Sequence, residues 1–286
     1  MFSVDSHKGK YHVVFDTPLE EAVKSCIQDT DFLVIDKCVY DKYPIFHRLI
    51  DSERIYILRA GEETKTLQTC QELISILISS GFKRNHKLVA VGGGITQDIT
   101  SFTASVLFRG IGWKFFPTTL LAQADSCIGS KTSINFSNTK NLLGSFHPPE
   151  QIICCTEFLK TLPRNDIKSG IGEMLHYYIY ADSSLLEDMT REYNKLVENP
   201  CELMGRYIEE SLSIKREMIQ RDKFDKGERR VFNYGHTFGH AIEALSNYEV
   251  SHGLAVTIGM DIANYVALKN NIIDEETYLY FHKHLK

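Results

Sequence analysis

No apolar run in this sequence reaches the ~18 residues that a membrane-spanning helix requires. Positive charge is not in excess, with 32 Lys and Arg against 37 Asp and Glu and a net charge of −5. That balance argues against a nucleic-acid partner and does not favour an anionic membrane surface. The seven cysteines, at 26, 38, 70, 127, 154, 155 and 201, are odd in number and lack any CxxC spacing. They predict neither a disulfide framework nor a thiolate metal cluster, but a reduced, cytoplasmic protein. The opening stretch "MFSVDSHKGKYHVVFD" has no long apolar segment and reads as folded chain, not as a leader. Internal repeats and low-complexity tracts are absent too. What remains is 286 residues of ordinary globular composition, 43% hydrophobic and 24% charged. That is enough for one large domain or two ordinary ones.

The first half alternates short β-branched runs with helical patterns. "YHVVFD" (11–16), "FLVID" (32–36), "RIYIL" (54–58) and "KLVAV" (87–91) read as buried strands. "PLEEAVKSCIQ" and "TLQTCQELISILISSG" between them carry apolar residues at helical spacing. Such alternation predicts a mostly parallel sheet covered on both faces. After about residue 158 the texture becomes helical through "CELMGRYIEESLSIKREMIQ" and "HGLAVTIGMDIANYVALKNN", with few strand candidates. The expected organisation is an α/β domain over 1–157 and a helical domain over 158–286, joined near "FHPPEQIICCTEF".

Two stretches suggest chemistry. "KLVAVGGGITQDITSF" is a strand ending in Gly92, Gly93 and Gly94 before a helix. There the backbone can approach a ligand and free N–H groups can meet phosphate oxygens, although a tight turn alone would also use three glycines. Asp36 ends a strand where a dinucleotide-binding sheet often places a ribose-binding carboxylate, and where a simple cap would serve as well. In "FNYGHTFGHAIE", His236 and His240 fall on one face of a helix. On spacing alone, hydrogen-bonded structural histidines are the simpler account.

Read together, "GEETKT", "GGGITQD", "FRG", "PTTLLAQADSCIGSKTSIN", "KNLLGSFHPP", "FLKTLP", "GIGEMLHY", "RRVFNYGHTFGHAIE" and "SHGLAVTIGM" resemble, in order, the dehydroquinate synthase group of sugar phosphate cyclases. The resemblance implies an NAD-binding, Rossmann-like α/β domain followed by an all-α, metal-binding domain. It implies metal ligation by Glu173, His236 and His252, a donor set suited to Zn²⁺, with Co²⁺ as the alternative. NAD would be held by Asp36, Glu62, Lys65, Gly93, Gly94, Asp98, Thr118, Thr119, Lys140, Phe158 and Thr161. Substrate contacts would come from Asp125, Lys131, Asn141, His176, Lys215, Arg229, Asn233 and His240. Arg109 matches an arginine that reaches the neighbouring subunit's site, which implies a homodimer.

The family reaction, on the shikimate route to aromatic amino acids, converts 3-deoxy-arabino-heptulosonate 7-phosphate to 3-dehydroquinate and phosphate. NAD transiently oxidises one hydroxyl, phosphate leaves by β-elimination, the hydride returns, and an aldol step closes the ring. The chain departs from the family pattern in several places. His176 stands where a lysine is usual, Phe232 where leucine is common, Leu254 where glutamate is usual and Ser130 where a second glycine is usual. The family also continues beyond "FHKHLK" through helices bearing a phosphate-binding lysine, so weaker phosphate binding is expected here. These departures keep open a sister cyclase making a valiolone- or inosose-type cyclitol from a neutral sugar phosphate, and a catalytically weakened NAD- or metal-binding relative.

Overall fold

The computed structural model describes residues 1–286 apart from 16, 138, 182, 183 and 248. Residue 16, the last of the strand expected over 11–16, therefore lies outside the described residues. The chain separates into two compact units, Met1–Thr161 and Leu162–Lys286.

The first unit is a seven-stranded sheet flanked by helices. Its strands are β1 (Phe2–Ser6), β2 (Gly9–Phe15), β3 (Phe32–Asp36), β4 (Ile55–Leu58), β5 (Leu88–Gly92), β6 (Trp113–Pro117) and β9 (Gln151–Cys154). Their spatial order is β1-β2-β9-β6-β5-β3-β4. Only β1 and β2 run antiparallel; every other neighbouring pair is parallel. Runs such as Phe32–Ile35 and Leu88–Gly92 are buried without alternation, as expected of strands covered on both faces. The helices are α1 (Leu19–Cys26), α2 (Lys37–Lys42), α3 (Ile45–Leu49), α4 (Leu67–Ser79) and α5 (Gly94–Val106). Leu33, Ile35, Val89, Val91, Phe116 and Ile153, from four adjacent strands, share one buried cluster with Val23, Phe46 and Phe158. A separate two-stranded hairpin, β7 (Lys131–Phe136) and β8 (Thr139–Phe146), completes the unit. Trp113 is 1% exposed, and its indole N–H donates to the His147 carbonyl at 3.2 Å.

One sequence expectation needs correction. The stretch expected as a joint contains β9, which lies between β2 and β6 with Ile152, Ile153 and Cys154 buried. The Phe158 ring, near the end of the first unit, packs edge-on against Tyr43 at 5.0 Å between centroids. The Tyr43 hydroxyl holds this segment as well, donating to the Phe158 carbonyl at 3.1 Å.

The second unit contains helices only among its described residues. They are α6 (Arg164–Tyr180), α7 (Leu185–Glu198), α8 (Pro200–Leu203), α9 (Gly205–Arg221), α10 (His236–Leu245), α11 (His252–Lys269) and α12 (Glu275–Leu285). Residues 169–178 of α6 are buried on every side, so this helix is the unit's core, not an amphipathic cover. The α6–α11 contact is made backbone to backbone. A Cβ on Gly253 would lie 1.7 Å from the Ser169 carbonyl oxygen, and one on Gly172 2.4 Å from the Gly253 oxygen. The Gly253 N–H donates to Ser169 Oγ at 3.0 Å. Glycine at both positions therefore sets how closely the two helices approach.

Candidate functional site

In the first unit, three adjacent parallel strands deliver the expected cofactor residues at their carboxyl ends. Asp36 ends β3, Gly93 and Gly94 follow β5 and open α5, and Thr118 and Thr119 follow β6. This is where open α/β sheets bind ligands. One Asp36 oxygen caps α2 by accepting from the Cys38 N–H at 2.6 Å, and burial pushes its carboxyl pKa up. Glu62 and Lys65, in and after a 3-10 turn, meet α5 and the hairpin. The Lys65 ammonium lies 2.6 Å from Asp98 and 2.6 Å from Asn141 Oδ1. Burial raises the Asp98 carboxyl against the pull of that ammonium. Lys140 stands 3.8 Å from Glu62. Thus Glu62, Lys65, Asp98, Lys140 and Asn141 form one cluster, which joins an expected substrate residue to expected cofactor residues.

The remaining first-unit candidates lie elsewhere on its elements. Phe158 and Thr161 flank α2 and α3 through Tyr43, whose hydroxyl is 3.0 Å from Thr161 Oγ1. Asp125 sits in a π-helical turn, Ala122–Ser126, a device frequent at functional sites. Lys131 opens β7 on the surface. Arg109 occupies a run of left-handed residues, with φ of 49° at Phe108, 67° at Arg109 and 110° at Gly110.

In the second unit, α6, α10 and α11 bring Glu173, His236 and His252 together, with ligand atoms all within 4.8 Å of one another. Gly235, at φ 81°, turns the chain left-handed just before α10, so His236 is its first residue. Glu173 is 4% exposed on α6. Its Oε1 is 3.6 Å from His236 Nε2 and its Oε2 is 3.5 Å from His252 Nε2. Those gaps exceed a hydrogen bond, yet two donors placed tetrahedrally around a Zn²⁺ at about 2.1 Å stand about 3.4 Å apart.

The far ring nitrogens are spoken for. His236 Nδ1 points to the Tyr234 carbonyl at 3.3 Å, and His252 Nδ1 to Glu243 Oε2 at 3.0 Å. With Nδ1 protonated on each ring, both Nε2 lone pairs converge on the Glu173 carboxylate. That is the donor set of a metal site, so the residues fit the ion. Burial pushes the His236 imidazole down, but the Glu173 carboxylate 3.6 Å away outweighs it and the net pKa is raised. Burial lowers that of His240, reinforced by His236 and His252. The His240 ring lies 5.4 Å from that of His236 and 5.8 Å from that of His252. His176, buried at 2%, has Nδ1 3.9 Å from Glu173 and packs against Tyr177 and Phe232. Lys215 on α9 and Arg229 are each 6% exposed, whereas Arg230 and Asn233 are exposed. Asp222 secures the loop before Arg229 by accepting from the backbone N–H groups of Lys226, Gly227 and Arg229 at 2.9, 2.8 and 3.2 Å.

Glu243 was not among the sequence candidates. Its signal was present, since it follows His236 by seven residues and therefore shares its helix face. A carboxylate on the outer nitrogen of a ligating histidine fixes its tautomer and raises its basicity. Glu243→Gln is therefore expected to weaken metal binding about ten- to a hundredfold, with the fold unchanged. Competition against a chromophoric chelator measures this; unchanged affinity would remove Glu243 from the site.

A parallel α/β unit with glycine-led cofactor positions, followed in the chain by a helical unit with a Glu–His–His cage, defines the class of metal-dependent, nucleotide-binding enzymes. Comparison with known proteins then specifies it. The family description "3-dehydroquinate synthase N-terminal" matches residues 55–169, and "3-dehydroquinate synthase C-terminal" matches residues 170–286. The chain belongs to the 3-dehydroquinate synthase family of sugar phosphate cyclases. A 3-dehydroquinate synthase of Clostridium tetani is 35% identical over 283 residues, 96% of this chain and 75% of that protein. Matches to several other synthases span only 62% of the relative's length. A 2-deoxy-scyllo-inosose synthase solved with carbaglucose-6-phosphate, NAD⁺ and Co²⁺ is 28% identical, with a TM-score of 0.86 over 99% of this chain and 80% of its own. A 2-epi-5-epi-valiolone synthase of Streptomyces hygroscopicus, with NAD⁺ and Zn²⁺, is 26% identical, with a TM-score of 0.83 over 96% and 80%.

Proposed function

We propose that the chain is an NAD- and divalent-metal-dependent cyclase, a carbon–oxygen lyase that converts 3-deoxy-arabino-heptulosonate 7-phosphate to 3-dehydroquinate and phosphate. The observation that carries the reading is the convergence of two Nε2 atoms on buried Glu173, with each Nδ1 held by its own acceptor. When bound, the metal supplies Lewis acidity to the hydroxyl that NAD oxidises. The chain's own residues do the rest. Glu173, His236 and His252 hold the ion. Glu62, Lys65, Asp98 and Lys140, with the glycine-led start of α5, serve the cofactor. His240 contacts the phosphate, and Asp125, Lys131, Asn141, His176 and Asn233 position the sugar. Arg109 serves the site of a second copy, so the working form is a cytoplasmic homodimer. Among the described residues no helix is long and apolar enough to cross a membrane.

Two buried cations favour the carboxylated substrate. Lys215 and Arg229 are both held at 6% exposure in the same unit as the Glu–His–His cage, and a guanidinium with an ammonium suits a carboxylate. Arg229→Lys is expected to weaken apparent binding of the acid by about ten- to a hundredfold, roughly the 1.5–3 kcal/mol of one charge-assisted bond, because an ammonium cannot make the guanidinium's two parallel bonds. NAD affinity should barely change. A silent Arg229→Lys together with a damaging Arg230→Lys would transfer the role to Arg230. A second reading, supported by the inosose and valiolone synthase neighbours and by His176, is turnover of a neutral sugar phosphate. Phosphate release decides between them. The heptulosonate phosphate should turn over without net NADH, and turnover of sedoheptulose 7-phosphate alone would reject the acid.

A further inference from the structure

We infer that Asn135 is a positioning residue that locks the cofactor contacts Glu62 and Lys65 to the substrate contact Asn141. The inference rests on the reading of those three residues given above. Asn135 lies where the β7–β8 ladder breaks register, between Ile134 and Phe136. A bulge releases a residue from its ladder and re-aims it, and bulges are common beside active sites. Here the released backbone pairs elsewhere. The Asn135 N–H donates to the Lys65 carbonyl at 2.8 Å, and Asn135 forms a parallel bridge with Thr66.

The side chain works in two directions. Its Nδ2 donates to Glu62 Oε1 at 2.8 Å and to the Glu62 carbonyl at 3.3 Å. Its Oδ1 accepts from the Asn141 N–H at 2.9 Å. The partners decide the amide's orientation. Turned over, it would set an oxygen against the Glu62 carboxylate and an NH₂ against the Asn141 N–H. Asparagine is the side chain of this length that offers a donor to one neighbour and an acceptor to the other.

The bond to Asn141 matters because Asn141 is held left-handed at φ 56°. Asparagine adopts that conformation more readily than other non-glycine residues, and the bond from its N–H to Asn135 helps to fix it there. In it, Asn141 Oδ1 accepts from Lys65 Nζ at 2.6 Å and from Ser133 Oγ at 3.0 Å. Release of the Asn141 backbone would withdraw one of the two oxygens that aim the Lys65 ammonium. One amide thus sets the carboxylate, the ammonium and the substrate-side asparagine together.

The test separates the two directions in the 286-residue chain. NAD dissociation is measured by calorimetry, and the Michaelis constant for the sugar phosphate by phosphate release. Asn135→Ala removes the bonds in both directions, and with the partners partly exposed both constants should rise about three- to tenfold, the net worth of a hydrogen bond of about 1 kcal/mol. Asn135→Asp keeps the acceptor for Asn141 and places a like charge on Glu62. NAD dissociation should then rise about tenfold while the Michaelis constant moves less. Adding Glu62→Gln to Asn135→Asp restores a donor opposite an acceptor and should recover NAD affinity relative to Asn135→Asp alone. If Asn135→Ala lowers only the thermal midpoint and leaves both constants within about twofold, the residue is structural and the inference fails. Should Asn135→Ala not fold, the isosteric Asn135→Asp and its double variant decide on the same constants. Lys65→Ala is the control on the underlying reading. Undiminished NAD binding there would overturn the cofactor assignment, whereas lost binding there beside an unaffected Asn135→Ala would overturn Asn135 alone.

Discussion

His252→Ala is expected to leave the purified chain without stoichiometric metal and without turnover. The cage has three protein donors, and loss of one leaves a carboxylate and a single imidazole. The remaining positions around the ion are those that substrate or water occupies. Glu173→Gln should have the same outcome by another route. It preserves the shape of a side chain buried to 4% while removing the anion that two Nε2 atoms face. Elemental analysis of the dialysed variants checks both, and a thermal midpoint separates lost ligation from lost folding. Stoichiometric metal in either variant would show that these are not the ligands.

Gly253→Ala is the second large effect expected, although the residue touches no ligand or substrate. The added methyl would sit 1.7 Å from the Ser169 carbonyl oxygen and 3.1 Å from the Glu173 backbone nitrogen. Backbone cannot yield as a side-chain tip does, so α11 must move away from α6. Overpacking against rigid neighbours costs about 1–3 kcal/mol, and a backbone clash belongs at or above the upper end. For a chain of this size that corresponds to a fall in Tm on the order of 6–12 °C. The movement also separates Glu173 on α6 from His252 on α11, so metal affinity should fall with stability. Ile258→Ala, at a position 45% exposed on α11, is the control and should do neither. A Gly253→Ala variant with unchanged Tm and metal content would mean that the helices are not in backbone contact.

What the sequence discloses here follows from how local each signal is. The strands at Phe32–Asp36 and Leu88–Gly92 were legible because burial on both faces demands unbroken β-branched and apolar runs. β6 was not, since "WKFFP" carries a lysine, and Lys114 is tolerated inside through Asp31 at 2.8 Å and the Cys26 carbonyl at 2.6 Å, both from another part of the chain. β9 hid behind two prolines and read as a joint. β1 and the β7–β8 hairpin are short or polar, with exposed residues through most of β8, so nothing in them repeats strongly enough to register. At the metal cage, spacing revealed that His236 and His240 share a face, but only the resemblance nominated Glu173 and His252 from other helices. The roles of Glu243 and Asn135 depend on partners nine and 73 residues away and on the direction of single hydrogen bonds. No periodicity carries that information.

The solitary tryptophan has a practical consequence. Trp113 lies in the first unit, wedged in β6 with its N–H on the His147 carbonyl, and the sequence has no other. Intrinsic tryptophan emission therefore reports the loosening of the α/β unit alone. Far-ultraviolet circular dichroism is weighted instead toward the all-helical unit. Superimposable denaturation curves from these two optical signals would mean that the units melt as one cooperative body, and displaced curves that each melts by itself.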